Sequence, residues 1–210
     1  MKKLIALLLV LVMALSCAAC DKDEEKSDSG RKTKSYTAGE VKGDTYTNEY
    51  FEIECTLPDE WFYFSDEQIA KVQGYSQEMV GEGYAKILEQ TGSAMEMYAS
   101  EENTGMYTLN CLVEKIDSKK YTEKKYIEDS LSTIKTMLGS AGFDVTVCEV
   151  VTVDFAGEEH YGLRIEGSLS GASLYEQLVV MIEGDYLACI TACSYVDDYT
   201  DDILDFFTAI

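Results

Sequence analysis

The chain has one proline, one histidine and one tryptophan among 210 residues. So little proline excludes a proline-rich spacer or a collagenous repeat. A lone histidine excludes every metal motif that needs two, including His-Glu-x-x-His and histidine-rich zinc sites. Positive charge is also scarce. The 17 Lys and Arg stand against 39 Asp and Glu, a formal net charge of -22, and such a surface repels phosphate backbones and anionic headgroups. Nucleic acid is therefore not an expected partner. The longest apolar run, Leu4 to Leu15, falls short of the roughly 20 residues a permanent membrane-spanning helix needs. What is present is 46% hydrophobic content, enough to exclude a wholly disordered or fibrous chain.

The N-terminus indicates where the protein works. Lys2 and Lys3 precede the apolar run, and Ser16-Cys17-Ala18-Ala19-Cys20 follows it, the layout of a secretory signal over residues 1–19. The Ala18-Ala19-Cys20 ending resembles the lipobox of bacterial lipoproteins. That resemblance implies cleavage before Cys20 and diacylation of its sulfur, hence a protein held at the cell membrane and facing its extracytoplasmic side. One position departs from the pattern: Cys17 stands where the lipobox usually has Leu. Cys17 is itself the alternative acceptor, but Ala-Ala suits a small-residue cleavage site better than the Leu15-Ser16 before it. Two acyl chains suffice for stable anchoring, since each buried methylene contributes ~0.8 kcal/mol.

From Asp21 to Ser35 the chain is charged residues, Ser, Gly and Thr with no apolar residue. Such a stretch cannot offset its conformational entropy, so residues 20–47 are expected to be a lipidated cysteine and a disordered tether. A single domain is expected over 48–210. Phe51 to Leu57 alternates apolar and polar residues as a half-buried strand does. Ser65 and Gln68 have capping-box spacing and predict a helix over 66–73 stopped at Gly74. A second helix is expected over 82–90, strands over 93–100 and 105–116, and a long helix over 122–138 carrying Ile127, Leu131, Ile134 and Leu138 on one face. Four strands are expected over 143–155, 159–168, 173–182 and 186–196. Tyr199, Ile203, Phe206, Phe207 and Ile210 predict a closing helix over 197–210. Short turns between strands require antiparallel pairing, and the helices come in separate blocks. The class is therefore α+β, with a central antiparallel sheet of six to seven strands flanked by helices.

Tyr50-Phe51-Glu52-Ile53, then Leu57-Pro58-Asp59-Glu60-Trp61, then a meander closed by a terminal helix, resembles the PsbP-like fold of extrinsic photosystem subunits and a yeast Ran-binding protein. It is also similar to tethered lipoproteins of anaerobic Gram-positive bacteria. The resemblance implies a fold, and no site residue is carried across on it.

No catalytic constellation is evident. His160, beside Glu158 and Glu159, reads as a solvent-facing residue on the outward side of a strand whose inward positions are Tyr161, Leu163 and Ile165; a general base or metal ligand is the alternative. Ser132-Thr-Ile-Lys135 matches the Ser-x-x-Lys of penicillin-interacting enzymes, but their Ser-Asp-Asn and Lys-Thr-Gly motifs are absent, so it reads as exposed helix. Gly167-Ser-Leu-Ser-Gly171 has Leu169 where a nucleophile elbow needs Ser, and reads as a hairpin turn. Of the cysteines beyond Cys20, Cys55 and Cys111 are in phase with core positions, Cys189 and Cys193 lie too far apart along one strand to bond each other, and Cys148 completes an odd set of five. Asp197, Asp201 and Asp205 fall near one helix face as an oxygen-only set that would hold calcium weakly, or serve only the helix dipole and solubility. No other cofactor is expected.

The reading is thus a membrane-anchored, non-catalytic binding or interaction module whose partner is an envelope protein or cell-wall polymer. An envelope hydrolase using a carboxylate pair assembled across the sequence is the alternative. Two convergent carboxylates would mark the enzyme, and a tyrosine-lined face the binder. The acidity is uneven as well: Lys115 to Lys135 holds six bases, while residues 141–210 hold fourteen acids against Arg164 alone.

Overall fold

A computed structural model describes residues 35–76 and 83–210. The signal segment, Cys17, Cys20 and the first part of the expected tether lie outside the described residues. The elements run β1 (Glu40–Lys42), β2 (Thr45–Asn48), β3 (Ile53–Thr56), β4 (Trp61–Tyr63), α1 (Asp66–Gln73), α2 (Tyr84–Thr91), β5 (Ser93–Glu101), β6 (Tyr107–Lys115), α3 (Glu123–Ser140), β7 (Asp144–Phe155), β8 (Glu158–Leu169), β9 (Ala172–Glu183), β10 (Tyr186–Ser194), α4 (Thr200–Leu204) and β11 (Phe207–Ala209). Seven strands form an antiparallel sheet in the order β4-β5-β6-β10-β9-β8-β7, and a second sheet has the order β1-β2-β3-β11. The class is α+β.

Local chemistry explains most boundaries. Ser65 and Gln68 close a reciprocal capping box at the start of α1, and Gly74 ends the helix at a φ of 73°, a left-handed value that glycine adopts without a Cβ penalty. Thr122 caps α3 by accepting from Lys125 N. Ser170 and Gly171, both at positive φ, turn β8 into β9 in the two-residue manner whose twist suits a hairpin.

The central strands of the large sheet are covered on both faces, so β5, β6 and β10 have almost no exposed position, while the edge strand β7 alternates exposed and half-buried residues over most of its length. Toward the small sheet, Ala94, Met97, Leu109, Cys111 and Ile190 pack under Tyr46, Ile53 and Cys55, with Ile87 of α2 and Ile203 of α4. On the opposite face Leu112, Leu163, Ile165, Leu178 and Val180 pack under Ile69 of α1 and Tyr126, Ile127, Ile134 and Leu138 of α3. No helix among the described residues is long and apolar enough to cross a membrane.

Two expectations are corrected. The expected tether does not extend to residue 47, because β1 and the first three residues of β2 lie inside that stretch and Tyr46 is fully buried. The folded part also includes Tyr36, which stacks on Tyr186 at a centroid distance of 4.4 Å. The closing segment is not one helix: α4 spans five residues, and the chain then extends as β11 to pair with β3, Phe207 opposite Cys55. Phe207 reaches the same core from a strand that it would have reached from a helix.

Candidate functional site

A cleft of about 790 Å³ opens between the β1–β2 hairpin, β4 and the start of α1. Its position follows from the chain: β4 pairs with the end of β5, and Phe64-Ser65 carry it directly into α1, so four consecutive aromatics, Trp61 to Phe64, border one opening. All four are only partly buried. Phe62 and Phe64 stack at 5.4 Å with ring planes 10° apart. Trp61 meets Phe206 edge to face at 5.2 Å, and the Tyr63 hydroxyl donates to the carbonyl of Cys55 at 2.8 Å, which fixes β4 against the small sheet. Across the opening, the Tyr84 hydroxyl donates to Asp66 Oδ1 at 2.9 Å.

Glu96 forms the floor. It is the extra residue of a β-bulge between Met95 and Met97, and the bulge turns it toward the small sheet together with Met97. Buried at 2% exposure, its carboxylate accepts from the Tyr36 hydroxyl, from Gly39 N at 2.8 Å, from the Tyr46 hydroxyl at 3.1 Å and from Asn48 Nδ2 at 3.1 Å. Burial pushes its pKa up, and the four donors oppose that shift. Gly39 is required there by space, since a Cβ would lie 2.4 Å from the Tyr46 ring. Asn48 extends the network by accepting from Tyr50 N and Phe51 N.

Two further carboxylates are buried on the helix-covered face. Glu114, 1% exposed, accepts from the Tyr126 hydroxyl at 2.8 Å, while its second oxygen has no partner; burial pushes its pKa up to about 7. Glu176 is pushed up to about 8 by burial alone. Beside them both polar atoms of Asn110 are buried with no hydrogen-bond partner among the described residues, and the buried Thr108 hydroxyl lies against Tyr98 and Cys193. Glu114 stands opposite Leu187 and Glu176 opposite Cys193, six positions apart on β10, which places them roughly 20 Å apart along the sheet. Glycosidase-type pairs work at separations of about 5–9.5 Å. Glu114 and Glu176 are not brought together.

The sequence candidates are dispersed over the fold. His160 is not solvent-facing: its side chain is 11% exposed, and Nδ1 lies 2.9 Å from Glu123 Oε1, while Glu123 Oε2 accepts from Tyr161 N at 3.1 Å. Glu123 opens α3, so this contact fastens the helix start to β8. Ser132 and Lys135 lie on the exposed side of α3, and Gly167 to Gly171 form the end of β8 and its turn. Asp197 accepts from the Tyr107 hydroxyl at 2.9 Å and Asp201 from Gln177 Nε2 at 2.7 Å, whereas Asp205 ends α4 through its backbone N–H. These aspartates serve three different partners, and among the described residues no group of three or more His, Cys, Asp or Glu is arranged to hold a metal ion. Cys55, Cys111, Cys148, Cys189 and Cys193 are free. Burial pushes Cys55 up to about 12 and Cys111 and Cys193 well above the usual thiol value, the reverse of a reactive thiolate.

Sequence reasoning missed Glu96, Glu114, Glu176 and the cleft. A signal existed for the acids: Glu114 is in phase with Leu112 and Ile116, Glu176 with Leu174 and Leu178, and Glu96 interrupts Ala-Met-Glu-Met. The cleft depends on the β1–β2 hairpin, which the expected tether concealed.

No family model matches the chain, and no curated protein matches it. Among solved structures the chain is similar to the cyanobacterial PsbP protein CyanoP of Synechocystis sp. PCC 6803, at 14% identity and a TM-score of 0.48, covering 83% of this chain and 98% of that one. It is similar to a protein of Bacteroides thetaiotaomicron VPI-5482 at 8% identity and a TM-score of 0.44, covering 81% of this chain and 49% of that one. It is also similar to LpqN of Mycobacterium tuberculosis, a protein involved in cell envelope biogenesis, at 12% identity and a TM-score of 0.41, covering 74% of this chain and 82% of that one.

Proposed function

We propose that the chain is a lipid-anchored extracytoplasmic module, held to the cell membrane through Cys20, that binds an envelope ligand in the aromatic cleft and performs no chemistry on it. The cleft carries this reading. Its volume of about 790 Å³ lies within the range of ligand pockets, which run to about 1,000 Å³, and partly exposed rings at its rim provide contact area at low entropic cost. The anchoring rests on the Ala18-Ala19-Cys20 lipobox. The hydrolase reading asked for convergent carboxylates with raised pKa: Glu114 and Glu176 stand apart on a closed face, and Glu96, which is raised and does reach the cleft, has its carboxylate engaged by four donors.

Anchoring is tested by fractionation: the unchanged protein is expected in the membrane and Cys20→Ala in the soluble or unprocessed pool. A Cys20→Ala protein that stays membrane-bound and processed removes the anchor. The cleft is tested by comparing pull-downs from solubilised envelope with the unchanged protein and with Phe62→Ser/Phe64→Ser. Loss of the captured component in the double variant is expected, and undiminished capture assigns binding to another surface.

A further inference from the structure

We infer that the cleft takes an organic cation, a ligand presenting an ammonium or alkylammonium group to the ring faces; this rests on the cleft being the binding site. The first argument is charge. Glu40, Asp44 and Asp66 line the opening with Glu96 at its floor, and no Lys or Arg is among the described lining residues. An anion would enter against four carboxyl groups.

Ring geometry is the second. Phe62 and Phe64 stack on each other and Phe64 in turn packs on Tyr98 at 4.7 Å, so the ring face this stack leaves for a ligand is the outer face of the partly exposed Phe62. A ring face carries the negative end of the aromatic quadrupole and attracts a cation within about 6 Å. Trp61 and Tyr84 add π surface to the same opening. Carboxylates for the charge and rings for the alkyl groups form the combination that recognises alkylammonium, whereas a neutral sugar would stack on the rings and donate hydroxyls to the carboxylates without drawing on their charge.

A third observation concerns occupancy of the acids by internal cations. Lys42 reaches Glu40 at 2.9 Å, but both side chains are more than two-thirds exposed, so the pair is held weakly and an entering cation can displace it. Asp66 accepts from the neutral Tyr84 hydroxyl, which orients the carboxylate without cancelling its charge.

An ammonium group can come from a small amine or from a lysine side chain of an envelope protein, and the experiment separates these. Trp61, the sole tryptophan, borders the cleft and makes its fluorescence a local reporter. The mature, acylated protein in neutral-detergent micelles is titrated at low ionic strength with choline, a short lysine-containing peptide, N-acetylglucosamine and inorganic phosphate. Saturable change is expected with choline, the peptide or both, and none with the sugar or phosphate. Choline alone indicates a small amine, and the peptide alone a protein-borne lysine. Glu40→Gln/Asp44→Asn is expected to weaken the response roughly two- to fivefold, with Asp66→Asn adding to it, the scale of solvent-exposed charge contacts. Saturation by the sugar with both cations silent overturns the inference and leaves the binding site standing. Silence of both cations beside a cleft-dependent pull-down does the same. Silence together with undiminished pull-down from the Phe62→Ser/Phe64→Ser protein removes the site as well.

Discussion

On the face of the large sheet that meets β1 to β3, Glu96 accepts from two hydroxyls, an amide side chain and a backbone N–H. On the helix-covered face, Glu114 accepts one hydroxyl, Glu176 is raised by burial with no opposing donor, and Asn110 leaves both its polar atoms without a partner among the described residues. The two faces share one set of strands and a similar apolar lining. A buried carboxylate that gathers several donors becomes a clamp, and one that gathers few becomes a group whose proton depends on the fold. The small sheet brings its own donors, from Tyr36, Tyr46 and Asn48; helix α3 brings mostly Ile and Leu.

The sharpest way to break this comparison is Glu96→Ala. It leaves four donors facing an apolar cavity and is expected to cost about 3–5 kcal/mol in urea denaturation. Glu96→Gln, which keeps one acceptor oxygen, is expected to cost visibly less. A loss under about 1 kcal/mol for the alanine variant would show that the clamp is not a clamp.

Next in size is the pH dependence of the helix-covered face. Glu114 and Glu176 hold their protons up to about 7 and about 8 in the fold and release them near 4.3 when unfolded. Within that window the folded state binds more protons, so stability is fully present below about pH 4 and falls as pH rises toward 8. The expected fall is on the order of a few kcal/mol, since each tenfold difference in proton affinity between the folded and unfolded chain corresponds to about 1.4 kcal/mol. Glu114→Gln/Glu176→Gln is expected to flatten the profile in denaturation series across this range. A profile that instead rises from pH 5 to 8 would show that the two acids are ionised in the fold.

Gly39→Ala probes the clamp through space rather than charge. Its Cβ would enter the Tyr46 ring, so a loss of about 1–3 kcal/mol is expected, with the Tyr36 segment first to gain hydrogen exchange. The smallest change is Thr108→Val, which removes a buried hydroxyl lying against Tyr98 and Cys193 at nearly constant shape and is expected to cost no more than about 1 kcal/mol in the melting transition. A larger loss would show that the hydroxyl holds one of these neighbours firmly.

Much of the architecture was legible because local and tertiary demands agree. Ile127, Leu131, Ile134 and Leu138 sit on one helical face that is also the face α3 buries. Ser65 and Gln68 cap as their spacing requires, and the turns at 170–171 and 184–185 separate strands as read. The failures lie where tertiary context decides. Glu40 to Asn48 is short and polar, so nothing local distinguishes it from the charged stretch before it; it becomes a hairpin because Tyr46 and Asn48 reach Glu96. Tyr199 to Ile210 carries apolar spacing compatible with a helix, but the free edge of β3 takes residues 207–209 as a strand. For the candidate site, the aromatics of 61–64 were visible and the surface they border was not, since half of it comes from the hairpin.

The clamp at Glu96 also decides how the molecule answers a mechanical load. A pull applied from the N-terminal side meets Tyr36 and Gly39 before it meets β1, and both are fastened to β5 in the interior of the large sheet. The edge strand β1 is therefore shielded from being peeled away residue by residue. Tension arrives instead at several side-chain contacts that must fail together, so the first yield point of the folded chain is a carboxylate sixty residues downstream of Tyr36.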